Sequence, residues 1–366
     1  MILPSHIDRS VLIAMSGGVD SSVAACLMQE QGYRCEGVTM RLYRNEDIGR
    51  SGFHPCCSRE DIDDAAEVAF QMDIPFEVAD FTAAFREEVI GKFVRTYEAG
   101  GTPNPCIDCN RCMKFDHLLS LAKSRGLSYV ATGHYAQVEY DKDMERWLLK
   151  KAVDEDKDQS YVLFMLTQEQ LAHIRFPLGG WTKEQVRRFA AQRGFVNARK
   201  HDSQDICFVP DGDYVRFMEQ YTGKTYPPGD FLNLEGKPVG RHQGAVRYTL
   251  GQRRGLGLAM GERVYVCGKS MPDNTVTVGK ESALYTKSLL AGEVNWIVWE
   301  TLDGSRAVTA KNRYRQAEQR AVVSPAADGT IRLDFEQPQR AVTPGQAVVL
   351  YDGDYVLGGG TILQAW

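Results

Sequence analysis

The chain has 366 residues, with 43 Lys and Arg against 48 Asp and Glu and an apolar share of 43%. This length predicts two or three domains with sizeable cores, and the composition excludes a disordered protein. Because no apolar run is long enough to span a bilayer and the N-terminus has no signal or transit pattern, we expect a cytoplasmic globular protein with no membrane partner. The net charge of −5 argues against nucleic-acid binding through overall positive charge.

The first two hundred residues alternate short apolar runs with longer amphipathic runs. The predicted strands are residues 11–15, 37–43, 76–80 and 129–136, and the predicted helices are residues 21–31, 59–72, 81–97 and 114–125. Strands separated by helices of this length predict an α/β fold with right-handed crossovers and a mainly parallel sheet. Residues 159–235 are expected to be helical and irregular.

The pattern changes beyond residue 260 to short β-rich runs. These runs are residues 264–266, 275–278, 321–324, 331–335, 347–351 and 355–357. Turn signals such as Asp328-Gly329 and Asp352-Gly353 separate them. The spacing predicts a small β-barrel or sandwich at the C-terminal end.

A glycine-rich turn follows the first predicted strand, where residues 16–22 read SGGVDSS. A strand that leads through such a turn into a helix points backbone N–H groups and the positive end of the helix dipole at one place, which suits a phosphate group. Gly17 and Gly18 allow a close approach, and Asp20 can bind Mg²⁺ or cap the helix. The loop lacks the lysine of the GxxxxGK[ST] motif, so the γ-phosphate clamp of a kinase or GTPase is not expected. A serine-capped helix without a ligand is the alternative interpretation.

This loop resembles the pyrophosphatase loop of the ATP-dependent adenylating enzymes. Those enzymes split ATP between the α- and β-phosphates and activate a carbonyl oxygen as an adenylate, so the resemblance implies ATP and Mg²⁺. The group includes GMP synthetase, argininosuccinate synthase, tRNA lysidine synthetase and the tRNA thiolases, and the loop alone does not distinguish them.

The nine cysteines favour reduced thiols, a metal centre or thiol chemistry over a disulfide framework. Three of them are Cys106, Cys109 and Cys112, in the sequence PNPCIDCNRC at residues 103–112. We expect this segment to be a rigid loop just before a helix, where a thiolate beside basic side chains is nucleophilic. The C-x-x-C-x-x-C spacing also fits ligands of zinc or of an iron–sulfur cluster, with Cys207 as a fourth ligand or a partner thiol.

The remaining cysteines have no predicted part in this chemistry. Cys56 and Cys57 are adjacent, which makes chelation of one tetrahedral ion difficult, so we interpret them as loop or redox thiols. Cys26, Cys35 and Cys267 fall on apolar faces of predicted elements and are expected in the cores.

Further motifs follow in chain order. They are ATGHYA at 131–136, KDQSYVLF at 157–164, SQDICF at 203–208, GQRRGLG at 251–257, NRYRQ at 312–316, TPGQAVVLY at 343–351 and LGGGTI at 357–362. Together with PNPCxxCN followed by KF, they resemble the bacterial tRNA-specific 2-thiouridylases over nearly the whole chain. The resemblance implies an N-terminal parallel-sheet domain like that of adenine-nucleotide hydrolases (residues 1–203), a small central α+β domain (204–285) and a C-terminal β-barrel (286–366).

The resemblance also implies a reaction. ATP adenylates the 2-oxygen of the wobble uridine in the tRNAs for Lys, Glu and Gln, and sulfur then replaces that oxygen to give 2-thiouridine, AMP and pyrophosphate. Cys207 would carry the sulfur as a persulfide received from a donor protein, which is a cysteine desulfurase or a relay protein. Cys109 would release this sulfur by forming a disulfide with Cys207, which a reductant then reopens.

One position departs from the common pattern of the family. Cys106 stands where many members carry an Asp that is proposed to act as acid and base. A thiol with a suitable pKa can take that role, and the alternative is a [4Fe–4S] cluster held by Cys106, Cys109 and Cys207. The sequence gives Cys112 no role.

The resemblance assigns binding residues position by position. The implied ATP contacts are Ala14, Met15, Ser16, Gly17, Gly18, Val19, Asp20, Ser21, Met40 and Gly133. The implied pocket for the extruded uridine is formed by Asn104, Pro105 and Cys106. The other implied tRNA contacts are His134, Lys157, Asp158, Gln159, Arg313, Tyr314 and Gln346.

Two other functions stay open at this level. One is a different adenylating tRNA modifier, such as a lysidine synthetase, which needs no catalytic thiols. The other is a zinc-stabilised RNA-binding module with an inactive loop. The net charge does not exclude tRNA binding, because residues 186–201 and 236–261 contain five bases and no acid each, and residues 305–320 contain five bases and one acid. Solvated faces are the usual explanation of such stretches. These stretches predict a salt-sensitive tRNA contact on one side of the molecule.

Overall fold

The computed structural model describes residues 9–44, 59–200 and 206–366. The chain forms two compact units, and each is assembled from separate stretches. The first consists of Met1–Val89, Cys106–Gly212 and Gly353–Val356, and the second consists of Ile90–Pro105, Asp213–Asp352 and Leu357–Trp366.

A five-stranded parallel sheet forms the centre of the first unit, with the strands in the order β3, β2, β1, β4, β7. The strands are β1 (Ser10–Ala14), β2 (Arg34–Arg41), β3 (Phe76–Asp80), β4 (Tyr129–Ala131) and β7 (Ile174–Arg175). The side chains of Val11, Leu12 and Ile13 have no exposed surface, as expected for a strand that is covered on both faces. The strand order reverses at β1, because β2 lies on one side and β4 on the other. The predicted parallel sheet is therefore confirmed.

Helices alternate with these strands. They are α1 (Val19–Glu30), α2 (Arg59–Gln71), α3 (Thr82–Ala84), α5 (Pro105–Asp108), α6 (Leu118–Ser124), α7 (Gln168–His173) and α8 (Lys183–Gln192), whereas α4 (Gly91–Glu98) belongs to the second unit. Two π-helical stretches, Phe85–Ile90 and Cys109–His117, continue α3 and α5. Apolar side chains of α1, α2 and α8 pack with the sheet in one core, which includes Val23, Val68 and Val186.

The first unit also contains a hairpin of β5 (Gln137–Asp141) and β6 (Arg146–Lys150). Strand β6 pairs with Tyr355 and Val356, the first two residues of a strand near the C-terminus. The Lys151 N–H donates a hydrogen bond to the Asp354 carbonyl oxygen at 2.9 Å. A short stretch from the end of the chain therefore completes the edge of this unit.

The second unit contains the helix α9 (Tyr214–Thr222) and a four-stranded sheet. Its strands are β8 (Gly229–Leu232), β9 (Pro238–His242), β10 (Tyr265–Ser270) and β11 (Thr275–Gly279), in the order β10, β11, β8, β9. Phe231, Tyr248, Val266 and Val276 form the centre of a separate small core. This part is the predicted α+β region.

Six antiparallel strands of the second unit close into a barrel. They are β12 (Tyr285–Trp296), β13 (Arg306–Lys311), β14 (Gln319–Pro325), β15 (Ile331–Arg340), β16 (Ala347–Asp352) and β17 (Tyr355–Ala365). The order is β12, β15, β14, β13, β16, β17, and the pairing of β12 with β17 closes the ring. Leu289, Val323 and Leu333 fill its interior with no exposed surface. The predicted C-terminal β-barrel is therefore confirmed.

Several predicted bounds were wrong. The strand predicted at residues 129–136 ends at Ala131, and the helix predicted at 21–31 begins at Val19. Strand β12 was missed because Gly292 and Glu293 interrupt its alternation. Glu293 has a φ of 47°, and the register with β17 shifts between Gly292 and Asn295, so a bulge bends the strand there.

Candidate active site

The glycine-rich turn lies at the carboxyl end of β1, where the strand order reverses. Ligands of open α/β sheets bind at this place. Helix α1 begins at Val19, with Gly18 as its N-cap and no side-chain cap, so of the two alternatives for Asp20 the capping role is wrong. The Ser21 hydroxyl donates to the Gly18 carbonyl oxygen at 2.9 Å and accepts from the Ser16 N–H at 3.1 Å. These bonds hold the turn with the helix N-terminus open to an anion.

Two glycines of this site lie against backbone where a side chain would collide. Gly17 has a φ of +70°, and a Cβ there would stand 2.1 Å from the Asp61 carbonyl oxygen. Gly133 follows β4, and a Cβ there would stand 2.8 Å from the Ser21 nitrogen. The loops after two neighbouring strands therefore pack closely around the start of α1, and we call Gly17, Gly133 and the start of α1 together the cradle.

The other residues predicted to contact ATP have mixed exposure. Met15 and Met40 are buried, and Met40 lies one residue before the end of β2. The Thr39 hydroxyl donates to the Met15 carbonyl oxygen at 2.6 Å, which joins the ends of β1 and β2. Ser16 is exposed. The side chains of Met15 and Met40 therefore belong largely to the core around the sheet.

Asp20 is held in an ion pair that the sequence did not predict. The Lys183 Nζ lies 2.7 Å from both carboxylate oxygens of Asp20, and the Tyr135 hydroxyl donates to its Oδ1 at 2.8 Å. Lys183 is 9% exposed and is the first residue of α8. A lysine at the first position of a helix is unfavourable, because its charge opposes the helix dipole. This unusual placement is the sequence signal that could have identified Lys183 as a site residue.

Asn197 and Lys200 fix the turn from the segment that follows α8. The Asn197 Nδ2 donates to the Gly17 carbonyl oxygen at 3.0 Å and to the Ser22 hydroxyl at 2.9 Å. Its Oδ1 is buried and has no hydrogen-bond partner in the described part of the chain. The Lys200 Nζ lies 2.6 Å from Asp61 and 2.6 Å from Asp64, in the first half of α2. The helix that packs against Gly17 is therefore tied to the same segment.

His134 lies beside the nucleotide cradle in a buried position. Its Nδ1 lies 2.6 Å from the Thr132 hydroxyl, and its Nε2 lies 3.4 Å from the Lys114 Nζ. Burial, together with the positive charge of Lys114, holds the pKa of His134 well below its usual range. Because the Lys114 ammonium can only donate, Nε2 is the acceptor, and the proton of the neutral ring is on Nδ1.

The depressed pKa of His134 predicts a pH dependence of stability. In the unfolded chain this histidine takes up a proton below about pH 6.5, whereas in the folded chain it stays neutral, so acid favours the unfolded state. We expect the free energy of unfolding to fall by up to about 1.4 kcal/mol for each pH unit below 6.5 because of this residue. Denaturant titrations of the wild type and of His134→Gln at pH 7 and pH 5 measure this change in the free energy of unfolding. An equal pH dependence of stability in the two proteins would contradict the prediction.

The cysteine segment is helical, so the prediction of a loop before residue 114 was wrong. Helix α5 begins at Pro105, and the π-helical stretch Cys109–His117 continues it. Proline is favoured at the first position of a helix, where its missing N–H costs nothing. Cys106 is exposed and Cys109 is half-buried. Asn110 is buried, and its Nδ2 donates to the Val162 carbonyl oxygen at 3.2 Å, so the π-helical stretch is pinned beside Cys109.

Cys112 differs from its neighbours in its surroundings. Burial and a hydrogen bond to Glu88 raise the pKa of the Cys112 thiol to about 12. The Glu88 Oε1 also lies 2.9 Å from the His117 Nε2. Glu88 therefore joins the two π-helical stretches, and Cys112 stays protonated at neutral pH, which excludes it as a thiolate nucleophile.

The Cys207 backbone is anchored on the same part of the fold. The Tyr43 hydroxyl donates to the Cys207 carbonyl oxygen at 2.7 Å. Phe208 is buried, with its ring centroid 5.7 Å from that of Phe85. Phe85 opens the π-helical stretch whose Glu88 binds Cys112. The segments that carry Cys109 and Cys207 therefore contact the same π-helical stretch.

The described residues do not form a metal site. Within residues 9–44, 59–200 and 206–366, no group of three His, Cys, Asp or Glu side chains could hold a metal ion. Cys106, Cys109 and Cys207 therefore do not form such a group in the described part of the chain. Cys56 and Cys57 lie outside the described residues, and so does the start of the 203–208 motif. Cys26 and Cys35 are buried and Cys267 is half-buried, in agreement with their predicted places in the cores.

The KDQ residues predicted to contact tRNA make internal contacts. The Asp158 carboxylate accepts from the Ala152 N–H at 3.0 Å and from the Ser160 hydroxyl at 2.7 Å. The Gln159 Oε1 accepts from the Tyr135 N–H at 2.9 Å. Lys157 is half-exposed. Asp158 and Gln159 thus fix the loop beside Tyr135, whose hydroxyl binds Asp20.

In the second unit, Gln346 is bonded to the segment that leads to the cysteine helix. Its Nε2 donates to the Thr102 and Pro103 carbonyl oxygens at 2.9 Å and 3.2 Å. Asn104 follows directly and is half-buried. The barrel therefore shapes the backbone before Pro105.

Two more predicted tRNA contacts lie in a neighbouring turn of the barrel. Arg313 donates to the Ala341 carbonyl oxygen at 2.8 Å, and Tyr314 is 38% exposed. The aromatic ring therefore stands at the surface of a turn that the arginine holds in place.

The basic stretch 186–201 is partly neutralised by acids elsewhere in the first unit. Arg193 forms an ion pair with Glu30, Arg188 pairs with Glu184, and Lys200 pairs with two aspartates of α2. In the stretch 236–261, Arg253 and Arg254 are exposed.

No helix in the described part of the chain is long and apolar enough to cross a membrane.

Comparisons with known proteins cover nearly the whole chain. Profiles of three domain families match in chain order: the tRNA methyl transferase HUP domain at residues 9–211, the tRNA methyl transferase PRC-barrel domain at 215–280 and the aminomethyltransferase beta-barrel domain at 286–362. They follow the parallel sheet, the four-stranded sheet and the barrel.

Curated relatives match at nearly full length. The tRNA-specific 2-thiouridylase MnmA of Acetivibrio thermocellus is 48% identical over 358 residues, which is 97% of this chain and 99% of the relative. The enzymes of that name from Moorella thermoacetica and Geotalea uraniireducens are each 48% identical, over 96% and 98% of this chain and 98% and 96% of their own lengths.

Proposed function

The chain belongs to the tRNA-specific 2-thiouridylases, enzymes that use ATP to form 2-thiouridine in tRNA, and we propose that its target is the wobble uridine of the tRNAs for Lys, Glu and Gln. The observation that carries the assignment of the reacting groups is that the segments of Cys109 and Cys207 contact one π-helical stretch, beginning at Phe85. Two thiols in one region, in the same unit as a phosphate cradle, suit sulfur transfer to an adenylated carbonyl.

The activation step takes place at the glycine-rich turn. The uridine 2-oxygen attacks the α-phosphorus of ATP, and pyrophosphate leaves. The N-terminus of α1 and the backbone N–H groups of the glycine-rich turn bind the phosphates, and the close packing of Gly17 on Asp61 and of Gly133 on Ser21 holds the loops around them. Asp20 provides the carboxylate that suits Mg²⁺, which offsets phosphate charge when it is bound.

The sulfur step uses Cys207 and Cys109. The terminal sulfur of a Cys207 persulfide, received from a desulfurase or relay protein, attacks C2 of the adenylated uridine, and AMP leaves with the former 2-oxygen. The Cys109 thiolate then attacks the Cys207 Sγ, so the S–S bond of the persulfide breaks and the electron pair stays with the sulfur on uridine. The products are 2-thiouridine and a Cys109–Cys207 disulfide, which a dithiol reduces. Exposed Cys106 adjoins this region and suits proton transfer.

The base-binding and tRNA-binding assignments rest on the resemblance. Asn104, Pro105 and Cys106 form the proposed pocket for the extruded uridine, and Arg313 and Tyr314 are proposed tRNA contacts. A tyrosine ring exposed at 38% beside an arginine suits stacking and phosphate binding. Asp158 and Gln159 make internal hydrogen bonds within the first unit, and Gln346 makes them within the second unit. The domain division at residues 1–203, 204–285 and 286–366 stays a prediction.

Reconstitution tests the proposed function. Purified protein with ATP, Mg²⁺, the three tRNAs, a persulfide donor and a dithiol is expected to release pyrophosphate and to form 2-thiouridine at the wobble position, as read by nucleoside mass spectrometry. Absence of 2-thiouridine under these conditions would overturn the proposal. A lysidine synthetase would release pyrophosphate without thiolation, and a binding module would release none. Full activity in protein that contains no iron would exclude the cluster alternative.

A further inference from the structure

We propose that Lys183 is the phosphate-binding cation of the nucleotide site, supplied by α8 because the glycine-rich turn has none. Asp20 is the only charged residue in the sequence SGGVDSS at residues 16–22. Asp20 and the triphosphate of ATP are both negative, so a base from elsewhere in the fold adds to the charge that the N-terminus of α1 and a bound Mg²⁺ offset. This inference deepens the proposed function and rests on its nucleotide site.

The ammonium group of Lys183 lies where such a base can act. Its Nζ lies 2.7 Å from both oxygens of Asp20, the second residue of α1, so the ammonium stands at the helix N-terminus that faces the cradle. The residue is 9% exposed, so water screens its charge weakly. The ammonium therefore lies within one side-chain length of any anion that the N-terminus of α1 binds.

The surrounding structure holds Lys183 at the first position of α8, although a positive charge is unfavourable there. Thr182 and Gln185 form a capping box around the start of α8, and the Lys183 N–H donates to the Asp154 carboxylate at 2.8 Å. These bonds stabilise a helix start that carries an unfavourable positive charge in its first turn. At the other end of the segment, Asn197 binds the Gly17 carbonyl oxygen and the Ser22 hydroxyl. The segment from Thr182 to Asn197 thus contacts the turn at both of its ends.

Substitution of Lys183 separates phosphate binding from adenosine binding. Lys183→Met keeps the length of the buried stem and removes the charge. Loss of a charge-assisted hydrogen bond to phosphate is expected to weaken binding of ATP and of pyrophosphate by about 10- to 100-fold. Binding of adenosine, which has no phosphate, is expected to change by less than about twofold. Isothermal titration calorimetry on the full-length protein measures all three. Lys183→Arg, which keeps the charge, is expected to restore part of the ATP affinity.

Two further variants complete the test. Arg188→Gln removes an exposed base from the same helix and is expected to leave ATP affinity unchanged. The double variant Asp20→Asn with Lys183→Met is expected to stay weak, because the phosphate contact is still missing. Recovery of ATP affinity in the double variant would show that Lys183 only neutralises Asp20 and would overturn the proposal. Equal losses for ATP and adenosine in Lys183→Met would also overturn it. These binding data stay readable even if the wild type forms no 2-thiouridine, so failure of the proposed function is recognised separately.

Discussion

Replacing either Cys109 or Cys207 with serine is expected to lower 2-thiouridine formation by more than about 100-fold, because a hydroxyl can neither carry a persulfide nor attack one. Adenylation does not use these thiols, so pyrophosphate release in the presence of tRNA is expected to stay within about threefold of the wild type. Nucleoside mass spectrometry measures the first quantity, and a coupled pyrophosphate assay measures the second. In Cys207→Ser, the sulfur that the donor protein transfers to the chain is also expected to disappear.

Cys267→Ser is the matched control for these variants. Cys267 is half-buried in β10 of the second unit, outside the thiol chemistry, and the substitution removes the same sulfur atom. Its 2-thiouridine formation is expected to equal that of the wild type. If Cys109→Ser or Cys207→Ser kept full thiolation with the same donor, the assignment of these residues would be wrong, and a thiol-independent modification would gain support.

Gly17→Ala is expected to abolish ATP binding in the accessible concentration range, a loss of more than about 100-fold, and to lower the free energy of unfolding by about 3 kcal/mol. The backbone at φ +70° disfavours any Cβ, and this Cβ would stand 2.1 Å from the Asp61 carbonyl oxygen. Either the glycine-rich turn or the start of α2 must move. Both elements hold the cradle, so calorimetric titration with ATP and denaturant unfolding should detect the change together.

Gly32→Ala is the matched control for Gly17→Ala, because it has a similar unfavourable backbone conformation without the steric collision. Gly32 has a φ of +81°, and a Cβ there meets nothing within 4 Å. Its replacement is expected to cost only about 1 kcal/mol of stability and to leave ATP binding unchanged. Similar losses in the two variants would mean that the close approach of Asp61 to Gly17 does not shape the site.

Local sequence was sufficient to predict most of the fold. The continuous apolar run at residues 11–15 and the SGGVDSS turn are adjacent in the chain, so one short stretch indicated a strand, a turn and a helix, with the helix start two residues too late. The barrel strand around Val323 alternates clearly, and the strand around Leu350 is a continuous apolar run, so both can be recognised. Strand β12 was missed because its alternation is broken at Gly292, where tertiary pairing with two neighbours maintains the strand.

The partners of the site could not be predicted from local pattern. Lys183 reaches Asp20 across 163 residues of sequence, and Asn197 reaches Gly17 across 180, so only the folded chain brings them together. The cysteine segment was interpreted as a loop because its prolines and asparagines are common in turns. In the fold, Pro105 begins a helix and Asn110 is buried against the Val162 carbonyl oxygen.

The interleaved composition of the two units has a consequence for synthesis on the ribosome. Strand β6 lies in the first half of the chain, but Tyr355 and Val356, which pair with it, are among the last residues to be made. Ile90–Pro105 belongs to the second unit, and its Thr102 and Pro103 carbonyl oxygens receive hydrogen bonds from Gln346 only after the barrel has been made. Neither unit can complete its hydrogen bonding until almost the entire chain has left the ribosome. The edge of the first unit at β6 and the segment that leads to the cysteine helix therefore acquire these hydrogen bonds only at the end of translation.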